Sequence, residues 1–448
     1  MDVRSRKMFD RSFSAAGVFS IILMSAALVV LLWPIFAKGT GAFVFRGTIE
    51  YRRLMLETFD RGDRAAIKEE IAIAAAARAP VYETIALFEA ALDTADAEYR
   101  RLYRKEFREV REFVDELLGP APGTETPVLA RDQYGQTRWD RAEVKLRQIL
   151  LVEEYDYSDS TKMGVKAASP RVERFRVTAL EPLFGLLESD AREMLRPRAT
   201  VYWRFLFDGS FDAHFFGGIW PEMLGTLYLA VGAMLFAVPL GIVTAIYLAE
   251  YAGESAFVSM LRTCISSLAG VPSIVFGLFG LAFFINTMHV SPSKSALAGS
   301  LTLSLLVLPT VIRASEEAIK SVPATYKEAA MSLGAGKWRS IASIILPAAL
   351  PGILTSIIIS MGRAAGETAP IIFTAAVSVG KPLAIWQTLT QPTPALPWNI
   401  YNLATEHEAV DEIRHVQYGM VLTLVVLVLL LNLTAIILRA RISRKLRG

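Results

Sequence analysis

Six long apolar runs, separated by segments that carry most of the charge, constrain this chain more than any other feature. Runs of about 18 or more apolar residues match the roughly 30 Å hydrocarbon layer of a bilayer. They lie at about 15–36, 222–249, 260–285, 295–312, 344–373 and 418–438. The first follows Arg4, Arg6, Lys7 and Arg11, as a secretory signal would. It is longer than a signal core, and Trp33, Pro34 and Phe36 stand where a cleavage site needs small residues, so it is expected to remain as an anchor. An even number of spans places both ends on one side. The basic N-terminus and Arg439, Arg441, Arg444, Lys445 and Arg447 assign that side to the cytoplasm. The fifth run overruns a bilayer, and Pro370 predicts a break near its outer end.

Composition narrows the function by exclusion. A net charge of +3 in 448 residues, with no basic cluster on one segment, gives no nucleic-acid footprint. The single cysteine, Cys264, rules out an intrachain disulfide framework and a Cys-rich metal site. Four histidines without paired spacing argue against zinc or haem; His289, His407 and His415 stand isolated. No G-x-x-x-x-G-K-[ST] run occurs, so no nucleotide-binding loop is expected in this chain.

Three segments follow: the N-terminus and first span (1–37), an extramembrane insert (38–220), and a core with five more spans (221–448). The insert is expected to be mainly helical and to lie outside the inner membrane, since long loops cross regardless of charge. Its Ala-, Glu-, Arg- and Leu-rich part, 60–118, has apolar residues at helical spacing: Leu87, Ala91 and Ala95, then Leu102, Phe107, Val110, Phe113, Val114 and Leu117. Pro80 is expected to begin or kink a second helix, and 119–127 to end the helical region. The stretches 139–151 and 171–187 have no legible fold, and balanced charge makes the insert read as a solvated accessory domain.

Chemistry concentrates between and within the last spans. The loop at about 313–343 runs Val322-Pro323-Ala324-Thr325-Tyr326-Lys327-Glu328-Ala329-Ala330-Met331-Ser332-Leu333-Gly334. Ser321 is placed to cap a short helix with Pro323 in its first turn. Ala329 and Ala330 keep that helix thin, and Gly334 and Gly336 allow a sharp exit. Such a helix suits a groove on another protein. Arg313, Glu316, Glu317 and Lys320 at the end of the fourth run read as a solvated or partner-facing set. Trp386, Trp398 and Tyr401 read as interfacial anchors.

Within the fifth run, Ser356, Ser360, Arg363 and Glu367 are spaced by four, three and four residues, on one helical stripe. Gly362 and Gly366 offer a close-packing stripe beside it. Charge inside an apolar span normally faces protein or a water-filled path. The guanidinium fork of Arg363 matches oxyanion geometry, and Glu367 one turn on could keep it from trapping the anion. On these grounds alone, a structural Arg–Glu pair that fixes helix packing accounts for the residues equally well.

Glu328-Ala329-Ala330, three residues, Gly334, nine residues, Ile344, one residue and Leu346-Pro347 resemble the EAA-loop signature of ABC-importer permeases. Gly362-Arg363-Ala364-Ala365-Gly366-Glu367-Thr368-Ala369-Pro370, with Ile371 to Ala375 after it, resembles the R-x-x-GETAP-LLFTA run of PstA-type phosphate permeases. Gly270 to Leu278 and Leu308 to Arg313 are similar to pieces of the same family. The resemblance covers about half the chain. It implies a type I, MetI-like fold with no cofactor of its own, in a subunit forming half of an inner-membrane path for inorganic phosphate. It also implies ATP bound by a PstB-type ATPase dimer, a PstC-type permease as the other half, and a PstS-type binding protein outside. In such a permease Glu328, Ala329, Ala330 and Gly334 couple to the ATPase, while Arg363, with Glu367, Thr368, Ser360 and Ser356, attends the substrate. The long insert departs from the compact family pattern. A permease for molybdate, sulfate or phosphonate, a gradient-driven transporter, or a phosphate-status sensor built on the insert are the rival readings.

Overall fold

The computed structural model describes residues 3–447 except 122–135, 156–165, 212, 254, 408–409 and 411–412. Most of the 119–127 stretch expected to end the first helical region therefore lies outside the described residues; Gly119, with φ +88°, closes the helix before it. The chain divides into two compact units, Met1–Ala42 with Trp203–Gly448, and Phe43–Tyr202. The second is narrower at both ends than the 38–220 segment, because 203–219 packs with the membrane unit: Gly218 sits against the Phe205 and Asp208 carbonyls.

In chain order, the first helix, α1 (Val3–Gly39), belongs to the membrane unit. The insert opens with strand β1 (Val44–Gly47) and helices α2 (Ile49–Phe59), α3 (Arg64–Thr94), α4 (Ala97–Leu118) and α5 (Trp139–Leu150). A hairpin of β2 (Leu151–Tyr155) and β3 (Lys166–Pro170), then α6 (Glu181–Leu195) and β4 (Arg198–Val201), complete it. Strands β1 and β4 pair antiparallel, Val44 opposite Val201 and Gly47 opposite Arg198, and the Tyr202 N–H donates to the Phe43 carbonyl. Side-chain caps start α3 and α4: Asp63 accepts from the Ala65 and Ala66 amides, and Asp96 from that of Tyr99.

Apolar burial in the insert is carried by aromatic and branched side chains. Phe88 lies 4.9 Å from Phe107 and 5.9 Å from Phe175, ring to ring, and all three are buried with Val81, Val110, Val114 and Leu187. The inward stripe of α3 is Val81, Ile85, Phe88 and Leu92, while Leu87 and Leu102 are exposed, against the expected register. An Ala-rich helix offers little contrast between faces, which explains Leu87 in α3; in α4 the expected Phe107, Val110, Val114 and Leu117 are buried, and only Leu102 at its start faces out. Nor does Pro80 start a new helix: α3 runs through it. Buried Arg78 joins three elements, pairing with Glu50 at 2.9 Å and donating to the Leu118 and Met194 carbonyls at 3.0 Å.

The membrane unit continues with β5 (Ser210–Phe211), β6 (Phe216–Gly217) and α7 (Trp220–Ile246), which runs on to Tyr251 as a wider π turn. Then come α8 (Ala256–Leu268) and α9 (Ser273–Gly280, prolonged to Thr287), α10 (Ala296–Lys320), α11 (Ala324–Ser332) and α12 (Lys337–Ser340). The last are α13 (Leu346–Gly366), α14 (Ala369–Thr374), α15 (Leu396–Thr405) and α16 (Arg414–Arg447). Long apolar helices occur at five of the six expected spans. The third, expected as one helix over 260–285, is a pair bent by 100° between Leu268 and Ser273. Pro272 lacks an amide hydrogen and holds the residue before it away from helical geometry, so the chain turns there. Helix α3 is also long and apolar enough to cross a membrane, but it packs in the insert's core.

Candidate functional site

Helix α11 follows α10 after three residues. Ser321 does not cap it. It closes α10 instead, its hydroxyl donating to the Ala318 carbonyl, and Pro323 takes the N-cap position. Backbone geometry explains the switch, because Ser321 is already helical and an N-cap must be extended. The helix is fixed at few points: Ala330 is buried, Lys327 pairs with Glu250, and the Ala335 amide donates to the Ala330 carbonyl. Gly334 ends it at φ +81° with open space around its Cα, so its backbone angle, not crowding, calls for glycine. Glu328 and Ala329 are exposed, as are Tyr326, Met331 and Leu333, the last at 89%. Two large side chains on a nine-residue helix and one just past its end thus face away from the subunit's core. Glu316, placed by sequence in a solvated set, is buried between Arg262 at 3.0 Å and Lys320 at 2.6 Å.

The break expected near Pro370 occurs just before it. Helix α13 stops at Gly366, Glu367 is extended (ψ 130°), and α14 restarts at Ala369 with Pro370 in its first turn. Arg363 lies one turn before the break. Its Nε donates to Glu367 Oε1 at 3.2 Å, and its side chain is 40% exposed against 20% for Glu367. Among the described residues neither η nitrogen has a protein partner. Ser356 and Ser360 share the stripe but not the exposure. Ser356 donates to the Ile353 carbonyl and lies 3.5 Å from Ser315 of α10, and Ser360 is fully buried with no partner for its hydroxyl among the described residues. Side-chain length explains the split: a hydroxyl stops inside the helix packing, whereas a guanidinium reaches past it. Thr368 is half-buried in the break itself.

One polar cluster escaped the sequence. Glu222, at the start of α7, is wholly buried; its Oε1 meets His214 Nε2 at 2.9 Å, Ser210 Oγ at 3.1 Å and Asn399 Nδ2 at 3.3 Å. Three elements meet there: the β5–β6 turn, α7 and α15. The partners lie up to 177 residues apart, so no local spacing could signal them. His407 has a structural part nearby, its Nε2 donating to the Ala213 carbonyl at 3.0 Å. No group of three or more metal-ligating side chains occurs among the described residues.

Residues 237–448 match the family model described as the binding-protein-dependent transport system inner membrane component. The phosphate transport system permease protein PstA 1 of Mycobacterium tuberculosis is 37% identical over 272 residues, covering 60% of this chain and 86% of the relative. This chain belongs to the PstA family of permeases. PstA of Yersinia pestis, another member, is 38% identical over 226 residues, 50% of this chain and 73% of that one. Among solved structures, a bacterial ABC transporter involved in the import of the acidic polysaccharide alginate aligns with 61% of this chain at 17% identity and a TM-score of 0.40. The PstA-family core is a multi-pass membrane permease component of an ABC importer. Both the exposed α11 and the α13–α14 break lie within the family-matched residues, and the Phe43–Tyr202 unit lies outside them.

Proposed function

We propose that this subunit forms half of an inner-membrane path for inorganic phosphate and that Arg363 is its anion contact. One observation carries the reading: a guanidinium at the end of a broken span, with only Nε engaged and both η nitrogens open. That free edge offers two parallel N–H donors, the geometry that grips an oxyanion bidentately. Interrupted helices at a membrane path leave backbone polar groups free to meet substrate, and 367–368 is such an interruption. Glu367 occupies one side of the guanidinium and limits how tightly an anion is held. A shallow stop suits a path in which release must be as easy as entry. Ser360, with its unpartnered hydroxyl, and Ser356 below it supply a polar lining once the helices part.

The path's other half would come from a PstC-type permease, which would cover the exposed edge of Arg363. A PstB-type ATPase dimer would bind ATP and seat α11 through Glu328, Ala329 and Ala330, with Gly334 setting the exit. The exposed Tyr326, Met331 and Leu333 give that contact apolar area. A PstS-type protein would deliver phosphate on the far face. Both termini would lie in the cytoplasm, as their basic residues favour.

Phosphate uptake in cells carrying Arg363→Ala or Arg363→Lys, with membrane level and ATPase co-purification measured alongside, tests the assignment. Arg363→Ala is expected to lower uptake about 10- to 100-fold while assembly persists, since charged hydrogen bonds are worth about 1.5–3 kcal/mol. Arg363→Lys keeps the charge, loses the fork and falls between. Normal uptake in both variants removes Arg363 from the path.

A further inference from the structure

Where the end of α6 meets the β1–β4 pair, the insert has an open cleft of about 620 Å³. Arg46, Arg192, Arg196 and Arg198 line it, with Glu193 as the one carboxylate in the wall. Behind it, Glu70 is shared by Arg52 and Arg198. Five arginines therefore meet two carboxylates. Among the described residues no carboxylate pairs with Arg46, Arg192 or Arg196; the Arg192 guanidinium instead lies 5.8 Å from the Trp139 ring centre. Burial lowers the pKa of Arg52 from its ordinary value; Glu70 opposes the shift, while Arg198 and Arg196 add to it.

Backbone geometry makes the cluster more telling. Arg196 ends α6 at φ 47°, a left-handed conformation usually given to glycine at this position. Its amide donates to the Arg192 carbonyl at 2.8 Å, its own carbonyl accepts from Arg52 Nη2 at 3.0 Å, and Pro197 prevents the helix from continuing. Glycine would occupy this corner without strain and without adding charge to a crowded cation cluster. The strained arginine buys neither folding nor local neutrality, and a residue held so is a pointer to function. Converging guanidinium forks in a concave site fit an oxyanion with several acceptor oxygens.

We propose that this cleft binds a phosphate group, either as orthophosphate or as the phosphodiester of an anionic lipid headgroup. The cleft belongs to the Phe43–Tyr202 unit and Arg363 to the other, so failure of this site and failure of the transport reading can be told apart. The test uses the full-length purified chain carrying Arg363→Ala, with and without Arg46→Ala and Arg196→Gly. One arm measures equilibrium binding of radiolabelled orthophosphate; the other titrates the delipidated chain with phosphatidylglycerol against phosphatidylcholine by native mass spectrometry. In at least one arm, saturable binding is expected to drop tenfold or more in the cleft variant. Arg196→Gly alone should weaken binding while leaving the melting temperature unchanged or higher, because it relaxes the backbone. Loss in the orthophosphate arm identifies a solute site, and loss confined to phosphatidylglycerol identifies a lipid site. Equal binding in parent and variants in both arms overturns the proposal, as does an absence of binding in both.

Discussion

The cores of the two units differ in how much they draw on aromatic and on small side chains. The insert buries Phe88, Phe107, Phe175 and Phe184, while Ala233, Ala237, Ala364 and Ala375 stand in the main buried cluster of the membrane unit. Glycines go further: a Cβ on Gly225 would lie 1.8 Å from the Pro394 carbonyl oxygen, and one on Gly280 would lie 2.1 Å from Thr302 Oγ1. The difference follows from the solvent. Water rewards every large apolar side chain removed from it, at about 25 cal/mol per Å². Lipid gives no such reward, so helices there gain from close backbone approach and small residues. Many large apolar side chains in the membrane unit also stand outside, as Leu235, Val243, Leu429 and Ile436 do. Ion pairs do not divide this way: buried Arg78–Glu50 braces the insert's core, and in the membrane unit buried Glu316 is held between Arg262 and Lys320.

That contrast can be broken most directly at Gly225. Gly225→Val leaves no room beside a backbone carbonyl, and the expected outcome is loss of monodisperse protein after detergent extraction. Normal recovery would mean that α7 and the segment leading into α15 are not held at backbone contact. In the insert the equivalent blow is truncation, and Phe88→Ala is expected to cost about 3–5 kcal/mol. Hydrogen exchange should quicken around Val81, Val114 and Leu187 while α7 and α10 keep their protection. An exchange pattern that spread equally through both units would show them to unfold as one. The smallest effect concerns Asp115 in α4. Burial, offset in part by Arg111, holds its carboxyl above the ordinary value, so the folded chain binds this proton more tightly than the unfolded one. Stability from this group is therefore lost as pH rises through the raised value. Asp115→Asn should melt slightly higher than the parent at neutral pH, with the gap closing below the ordinary carboxylate range. A constant gap across pH would assign the effect to something other than ionisation.

Features written in local spacing were legible in the sequence. The Arg363–Glu367 contact follows from an interval of four on a helix, the break at Glu367 from Pro370, and the exit after α11 from Gly334. Long apolar runs located the spans because bilayer thickness sets their length. The bend before Ser273 was not legible in hydropathy, which runs unbroken through a corner of 100°. Exposure was not legible where length decides it, as with Ser360 and Arg363. The Glu222 cluster and the arginine cleft were hidden for another reason. The first is assembled from residues that only the fold brings together; in the second Arg192, Arg196 and Arg198 are close in sequence, the fold adds Arg46, and the insert's balanced total charge masked the local excess beside α6.

The pairing of Val44 with Val201, closed by the Tyr202–Phe43 hydrogen bond, makes the insert's entry and exit near neighbours. Paired strands run about 5 Å apart, so 160 residues leave and re-enter through a gap that a tight turn could bridge. Gaining or shedding the whole unit is then a splice at a single point, which leaves α1 and α7 no farther apart than before. A lineage could carry this unit or dispense with it without renegotiating the rest of the chain.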